Sequence, residues 1–76
     1  MEETLKTIIT NLVEFPEQVS INQKEDEKNL IFEVKVAETD MGKVIGREGK
    51  MAGAIRTVMK ALGAKESKRI TIEFIG

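Results

Sequence analysis

The chain contains no cysteine and no histidine. That removes disulfides, thiolate and imidazole metal sites, and most acid–base or nucleophilic triads. Any catalysis would rest on carboxylates, lysines or hydroxyls, and no spaced carboxylate pair stands out, so an enzyme is not expected. Neither a metal nor another cofactor is expected. Aromatics are scarce, with three Phe and no Trp or Tyr. An RNA binder of the RRM type, which stacks bases on strand aromatics, is therefore poorly matched. No apolar run approaches the roughly 18 residues that span a bilayer. The start, MEETLKT, lacks the basic and apolar regions of a signal peptide. A cytoplasmic protein without a membrane partner is the expectation.

What remains is 76 residues, 41% hydrophobic and 33% charged. That is enough for one small globular domain, 1–76, which buries only roughly 60% of its unfolded surface. The net charge of −1 hides a division. Met1 to Gly42 holds four Lys or Arg against ten Asp or Glu, a balance of −6. Lys43 to Gly76 holds eight against three, a balance of +5. Such asymmetry suits a polyanionic partner for the basic half, or simply a solvated surface of segregated sign.

Periodicity orders the elements. Leu5, Ile8, Ile9, Leu12 and Val13 share one helical face, and Pro16 ends that helix. Val19 and Ile21 alternate with polar residues, and so, with Ile31 as the exception, do Leu30, Phe32, Val34 and Val36, with the charged turn KEDEKN between the two runs. This predicts a hairpin. Thr39 or Asp40 is placed to cap a short helix through Ile45. A second helix runs from about Lys50 to Leu62, with Gly63 as its expected stop. Ile70, Ile72 and Phe74 form a last strand. The order α-β-β-α-α-β predicts an α+β fold, a three-stranded sheet with three helices packed on one face.

Between the two later helices lies KVIGREGK, Lys43 to Lys50. Gly46 and Gly49 permit a tight turn with positive φ. The second helix then opens its unpaired N–H groups onto the loop, and Lys43, Arg47 and Lys50 stand around it. A phosphate site and a plain helix corner both fit this pattern. The spacing is neither GxxxxGK[ST] nor GxGxxG, so nucleotide and dinucleotide loops are not indicated.

The stretch MGKVIGREGKMAGAIRTVMKAL resembles a KH domain, with its apolar pair, GxxG loop and following helix. The element order resembles the type II, prokaryotic KH topology. Length and the acidic first helix resemble the small stand-alone bacterial KH proteins of the KhpA group. The likeness covers essentially the whole chain. It implies a non-catalytic protein that binds single-stranded RNA, about four nucleotides in a groove. It also implies a homodimer, a complex with the larger KH protein KhpB (Jag), and an RNA-chaperone or post-transcriptional role in cell-wall growth and cell length.

Carried over by position, Gly46, Arg47, Glu48 and Gly49 grip the sugar–phosphate backbone. Val44, Ile45, Ala52 and Ile55 lie at the apolar wall and floor of the groove, although Ile55 also suits the core, and Gly53 lies beside Ala52. Lys65, Lys68 and Arg69 belong to its far wall. Lys43, Lys50 and Arg56 add positive charge, although Arg56 also suits a surface ion pair with a carboxylate. Glu48 is unexpected in a phosphate loop. Gly53 is unexpected inside a helix, where it either admits a close approach or is a tolerated surface change. The alternative function is a protein-interaction module whose RNA role lies in its partner.

Overall fold

The computed structural model describes residues 1–75. Helix α1 spans Glu2–Leu12, with Glu2 and Glu3 in the first turn, where the helix dipole favours negative charge. Its Leu5 and Ile9 are fully buried and its Ile8 and Leu12 half-buried, as the 3–4 spacing requires. The helix stops at Leu12 rather than reaching Pro16, and Val13 is already extended. The reason lies far along the chain. The N–H groups of Glu14 and Phe15 donate to the two carboxylate oxygens of Asp40, at 3.0 and 2.9 Å. They are thereby withdrawn from the helix.

Strands β1, Ser20–Glu25, and β2, Asn29–Lys35, form the expected antiparallel hairpin. Its turn is narrower than KEDEKN, because Lys24 and Glu25 still pair in the strand. Asp26 closes it: its Oδ1 accepts the N–H groups of Lys28 and Asn29 at 3.0 and 2.8 Å. β2 is the central strand, and β3, Arg69–Ile75, pairs with it in parallel from Asn29↔Arg69 to Lys35↔Ile75. A parallel neighbour requires a long crossover. It is supplied by α2, Met41–Ile45, and α3, Lys50–Lys65.

Leu30, Phe32 and Val34 of β2 and Ile70 and Ile72 of β3 point to one face. There they meet Leu5, Ile9, Val44, Ile55 and Met59 from the helices in a single core. The opposite face is mostly polar, with a Lys24–Glu33 ion pair at 3.7 Å, and carries Ile31 and Ile75 as its apolar exceptions. The fold is therefore α+β, a mixed three-stranded sheet covered on one side by three helices, consistent with a type II KH domain.

Two local expectations are corrected. Asp40 occupies the N-cap position of α2 but makes no side-chain cap bond there, since its carboxylate serves Glu14 and Phe15 instead. Gly63 does not stop α3, which continues to Lys65. Gly63 is buried because β3 crosses close by: a Cβ at this position would run into Ile70 Cγ1 and stand 2.7 Å from its Cδ1. The real stop is Ser67, at φ +59°. Its N–H donates to Ala64 O at 3.2 Å, and Lys68 N–H donates to Gly63 O at 2.9 Å. Together these bonds make a Schellman ending with serine in the left-handed position. Among the described residues no helix is long and apolar enough to cross a membrane.

Candidate nucleic-acid interface

The loop between α2 and α3 owes its shape to three residues with positive φ. Gly46 has φ 76° and ψ 174°, Glu48 φ 56° and ψ 27°, and Gly49 φ 75° and ψ 11°. Arg47 to Gly49 form one 3-10 turn, closed by Gly49 N–H donating to Gly46 O at 3.2 Å. The two glycines do different things. A Cβ on Gly46 would stand 2.6 Å from Met51 Cβ and 2.8 Å from Met51 N. Gly46 therefore lets α3 start hard against the end of α2. A Cβ on Gly49 would meet nothing within 4 Å, so the space before α3 is open.

Helix α3 begins at Lys50 with Gly49 as N-cap and no side-chain cap bond. The Lys50 N–H already donates to Arg47 O and Met51 N lies close against Gly46, so what α3 offers this space is chiefly the positive end of its dipole. Arg47 and Lys50 are exposed beside it, and so is Glu48. Val44 and Ala52 are buried, at 0% and 2% exposure, and form the layer beneath the loop rather than its surface. Ile45 is half-buried, and Gly53 is exposed on α3 with nothing within 4 Å of a notional Cβ.

The basic residues divide into free and engaged. Lys43 turns away from the loop, with its ammonium 3.4 Å from Glu14 and 3.6 Å from Asp40. Asp40 is fully buried. Burial raises its pKa, but the N–H bonds from Glu14 and Phe15 and the Lys43 ammonium outweigh that, and the net shift is downward. Arg56 pairs with no carboxylate among the described residues. Its Nε and Nη2 instead donate to Ile72 O on β3, at 3.4 and 3.3 Å, and its guanidinium lies 5.4 Å from the centre of the Phe74 ring. Arg56 thus ties α3 to the open edge of β3.

Lys68 is engaged as well. Its ammonium donates to Asp26 O at 2.7 Å and Glu27 O at 3.1 Å, and pairs with Glu25 at 3.0 Å. It latches the hairpin turn. Lys65 and Arg69 are exposed. At the start of β3 the structure adds two cations that the sequence reading did not select, Lys28 and Lys60, which line one groove with Lys68 and Arg69. Lys60 had a usable signal, since it lies one helical turn beyond Arg56. Lys28 had none, because only the fold brings the hairpin turn to this edge.

The family model for the KhpA/KhpB KH domain matches residues 2–74. The chain is 48% identical over 75 residues to the RNA-binding protein KhpA of Clostridium acetobutylicum, covering 99% of this chain and all of the relative. It is 43% identical to the RNA-binding protein KhpA of Listeria monocytogenes, with 99% of both chains covered. Against the RNA-binding protein KhpA of Borreliella burgdorferi it is 40% identical over 73 residues, or 96% of this chain and 89% of the relative. On sequence, element order and loop together, the chain belongs to the KhpA/KhpB family of KH domains.

Proposed function

We propose that residues 1–76 act as a single KH domain, a non-catalytic cytoplasmic protein that binds single-stranded RNA. The relatives' name supports this reading, and one observation carries it. The N-terminus of α3 opens onto empty space at Gly49, flanked by the exposed cations Arg47 and Lys50. Backbone N–H groups there donate to phosphate oxygens without reading bases, and Arg47 supplies charge. Gly46, Arg47, Glu48 and Gly49 hold the sugar–phosphate chain. Gly53 and Ile45 border its path, and Arg56 positions the β3 edge that forms the other wall.

A site of about four nucleotides neutralises few phosphates, so binding by one copy is weak and salt-sensitive. Pairing two sites raises the effective concentration of the second. The protein therefore acts as a homodimer or together with KhpB (Jag), as an RNA chaperone or post-transcriptional regulator in cell-wall growth and cell length. The second reading, a protein-interaction module, draws on the outward face of α3. There Val58 is left 47% exposed, with the exposed Ala54 and Ala61 one turn to either side.

Joint replacement Arg47→Asp and Glu48→Asp separates the two readings. Circular dichroism is expected to show the fold intact, since both side chains are exposed. Affinity for short single-stranded RNA is expected to fall about tenfold or more, as a cation becomes an anion at the phosphate path. RNA affinity equal to that of the parent protein would sink the first reading and leave the second.

A further inference from the structure

The groove at the start of β3 is built by three separate elements. The hairpin turn brings Lys28 and Asn29, α3 brings Lys60, and the α3–β3 turn brings Ser67, Lys68 and Arg69. Backbone pairing holds them together. Arg69 N–H donates to Lys28 O at 2.8 Å, and the parallel ladder starts at Asn29↔Arg69. The Lys68 ammonium, bonded to two carbonyls of the turn, locks the same corner.

The nearby carboxylates offset the charge of this groove only in part. Asp26 is occupied by the N–H groups of Lys28 and Asn29 and by the Asn29 amide. Those backbone bonds also lower its pKa, so it stays charged and committed to the turn. Glu25 is taken by Lys68. Lys28, Lys60 and Arg69 have no carboxylate partner among the described residues. Three unpaired cations converging on one concave surface, with amide and hydroxyl groups between them, suit phosphates.

Resting on the RNA-binding reading, we propose that this groove is a second phosphate-binding segment, which takes the part of a single strand lying beyond the four nucleotides held at the GxxG loop. The geometry is continuous. Lys60 lies ten positions along α3 from Lys50 at the loop, about 15 Å at the helical rise of 1.5 Å per residue. A stacked strand rising about 3.4 Å per nucleotide covers that distance in roughly four nucleotides. The next two phosphates then fall at Lys28 and Lys60, with Arg69, a wall residue of the four-nucleotide groove, at the boundary between the two segments. These are backbone contacts, so they lengthen the site and add salt dependence without adding base preference.

The test compares tetrauridylate with octauridylate on the full chain, by fluorescence anisotropy at 50 and 200 mM salt. An octamer offers several registers for a four-nucleotide site, so affinity alone is a poor readout, whereas the salt slope does not depend on register number. Contacts from Lys28 and Lys60 steepen the octamer's log–log slope by about 1.4 relative to the tetramer, so over this range it loses about sevenfold more affinity. The double variant Lys28→Ala, Lys60→Ala is expected to abolish that difference and to bind the tetramer as the parent does. Lys60→Glu alone, at an exposed helical position, serves the same purpose should the double variant be poorly folded. Equal slopes for the two lengths in the parent, or a steeper octamer slope that survives in the variants, would overturn the second segment alone. Absence of binding to either RNA would overturn the RNA reading and the second segment with it.

Discussion

Replacing Gly46 by alanine should cost far more stability than replacing Gly49, although both glycines have φ near +75°. At Gly46 two penalties combine. Its φ 76°, ψ 174° lies in a region essentially restricted to glycine, at a strain cost of about 1–3 kcal/mol for other residues. The new Cβ would also stand 2.6 and 2.8 Å from Cβ and N of Met51. Met51 N is backbone in the first turn of α3, so relief requires moving the helix. Overpacking of this kind costs about 1–3 kcal/mol. The sum is about 2–6 kcal/mol, set against a total of roughly 4–11 kcal/mol for a chain of this length. Gly49 lies in the ordinary left-handed region with open space around it. Alanine there costs about 1 kcal/mol.

With no Trp or Tyr, urea unfolding is best followed by helical circular dichroism. For a slope of about 1 kcal/mol/M, Gly49→Ala lowers the midpoint by about 1 M, while Gly46→Ala lowers it by about 2 M or more or leaves the chain unfolded. Equal losses at the two sites, or less than about 1 kcal/mol at Gly46, would refute the division of labour between them. RNA binding should show the reverse order among folded variants. Gly49→Ala remains folded, yet its methyl group stands in the open approach to the α3 N-terminus.

Two further outcomes follow from individual side chains. Because the folded pKa of Asp40 is depressed, the unfolded chain binds the proton first as acid is added. The stabilising contribution of Asp40 is complete above the unfolded value of about 3.9 and is lost as pH falls through the lower folded value. Asp40→Asn should therefore lower the urea midpoint at pH 7 and flatten its decline between pH 5 and 2; an acid limb as steep as the parent's would show that other carboxylates carry it. Gly53→Ala, in an exposed helix interior with room for the methyl group, should raise stability by about 1 kcal/mol. Thermal unfolding checks the gain, and a simultaneous loss of RNA affinity would place the strand directly over that turn of α3.

The elements could be read from the chain because each shows its own repeat. Leu5, Ile8, Ile9 and Leu12 return every three or four residues, and Leu30, Phe32 and Val34 every two, so local pattern and tertiary burial agree. Their ends were not legible, because they are decided elsewhere in the fold. α1 stops where a carboxylate 25 and 26 residues away captures two of its N–H groups. α3 passes through Gly63 because glycine is needed there for the approach of β3, a demand that resembles a helix stop when only neighbours are considered.

The candidate site divides in the same way. The loop itself was legible, since two glycines flanking two charged residues leave few conformations, and the observed φ values require glycine at Gly46. The fate of each cation around it was not. Lys43, Arg56 and Lys68 look equivalent to Arg47, Lys50 and Arg69 as a count of charge, yet the first three are held by Glu14 and Asp40, by Ile72 O and Phe74, and by the hairpin turn. Apart from Asp40, three residues before Lys43, those partners are distant in sequence, and two of the three sets include backbone carbonyls, which no residue pattern records. Charge free to meet a phosphate is therefore less than the basic half suggests, and it is concentrated at the two ends of the path, at Arg47 and Lys50 and at Lys28, Lys60 and Arg69. Between them Arg56 spends its charge on the edge of β3. Glu48 adds an exposed carboxylate at the loop end, at φ 56°, a conformation costing a residue with a Cβ about 1 kcal/mol; nothing in the structure explains its presence. On the proposed reading, that charge opposes Arg47 at the loop, so attraction for a phosphate there draws on Lys50 and the positive end of the α3 dipole, neither of which selects a base.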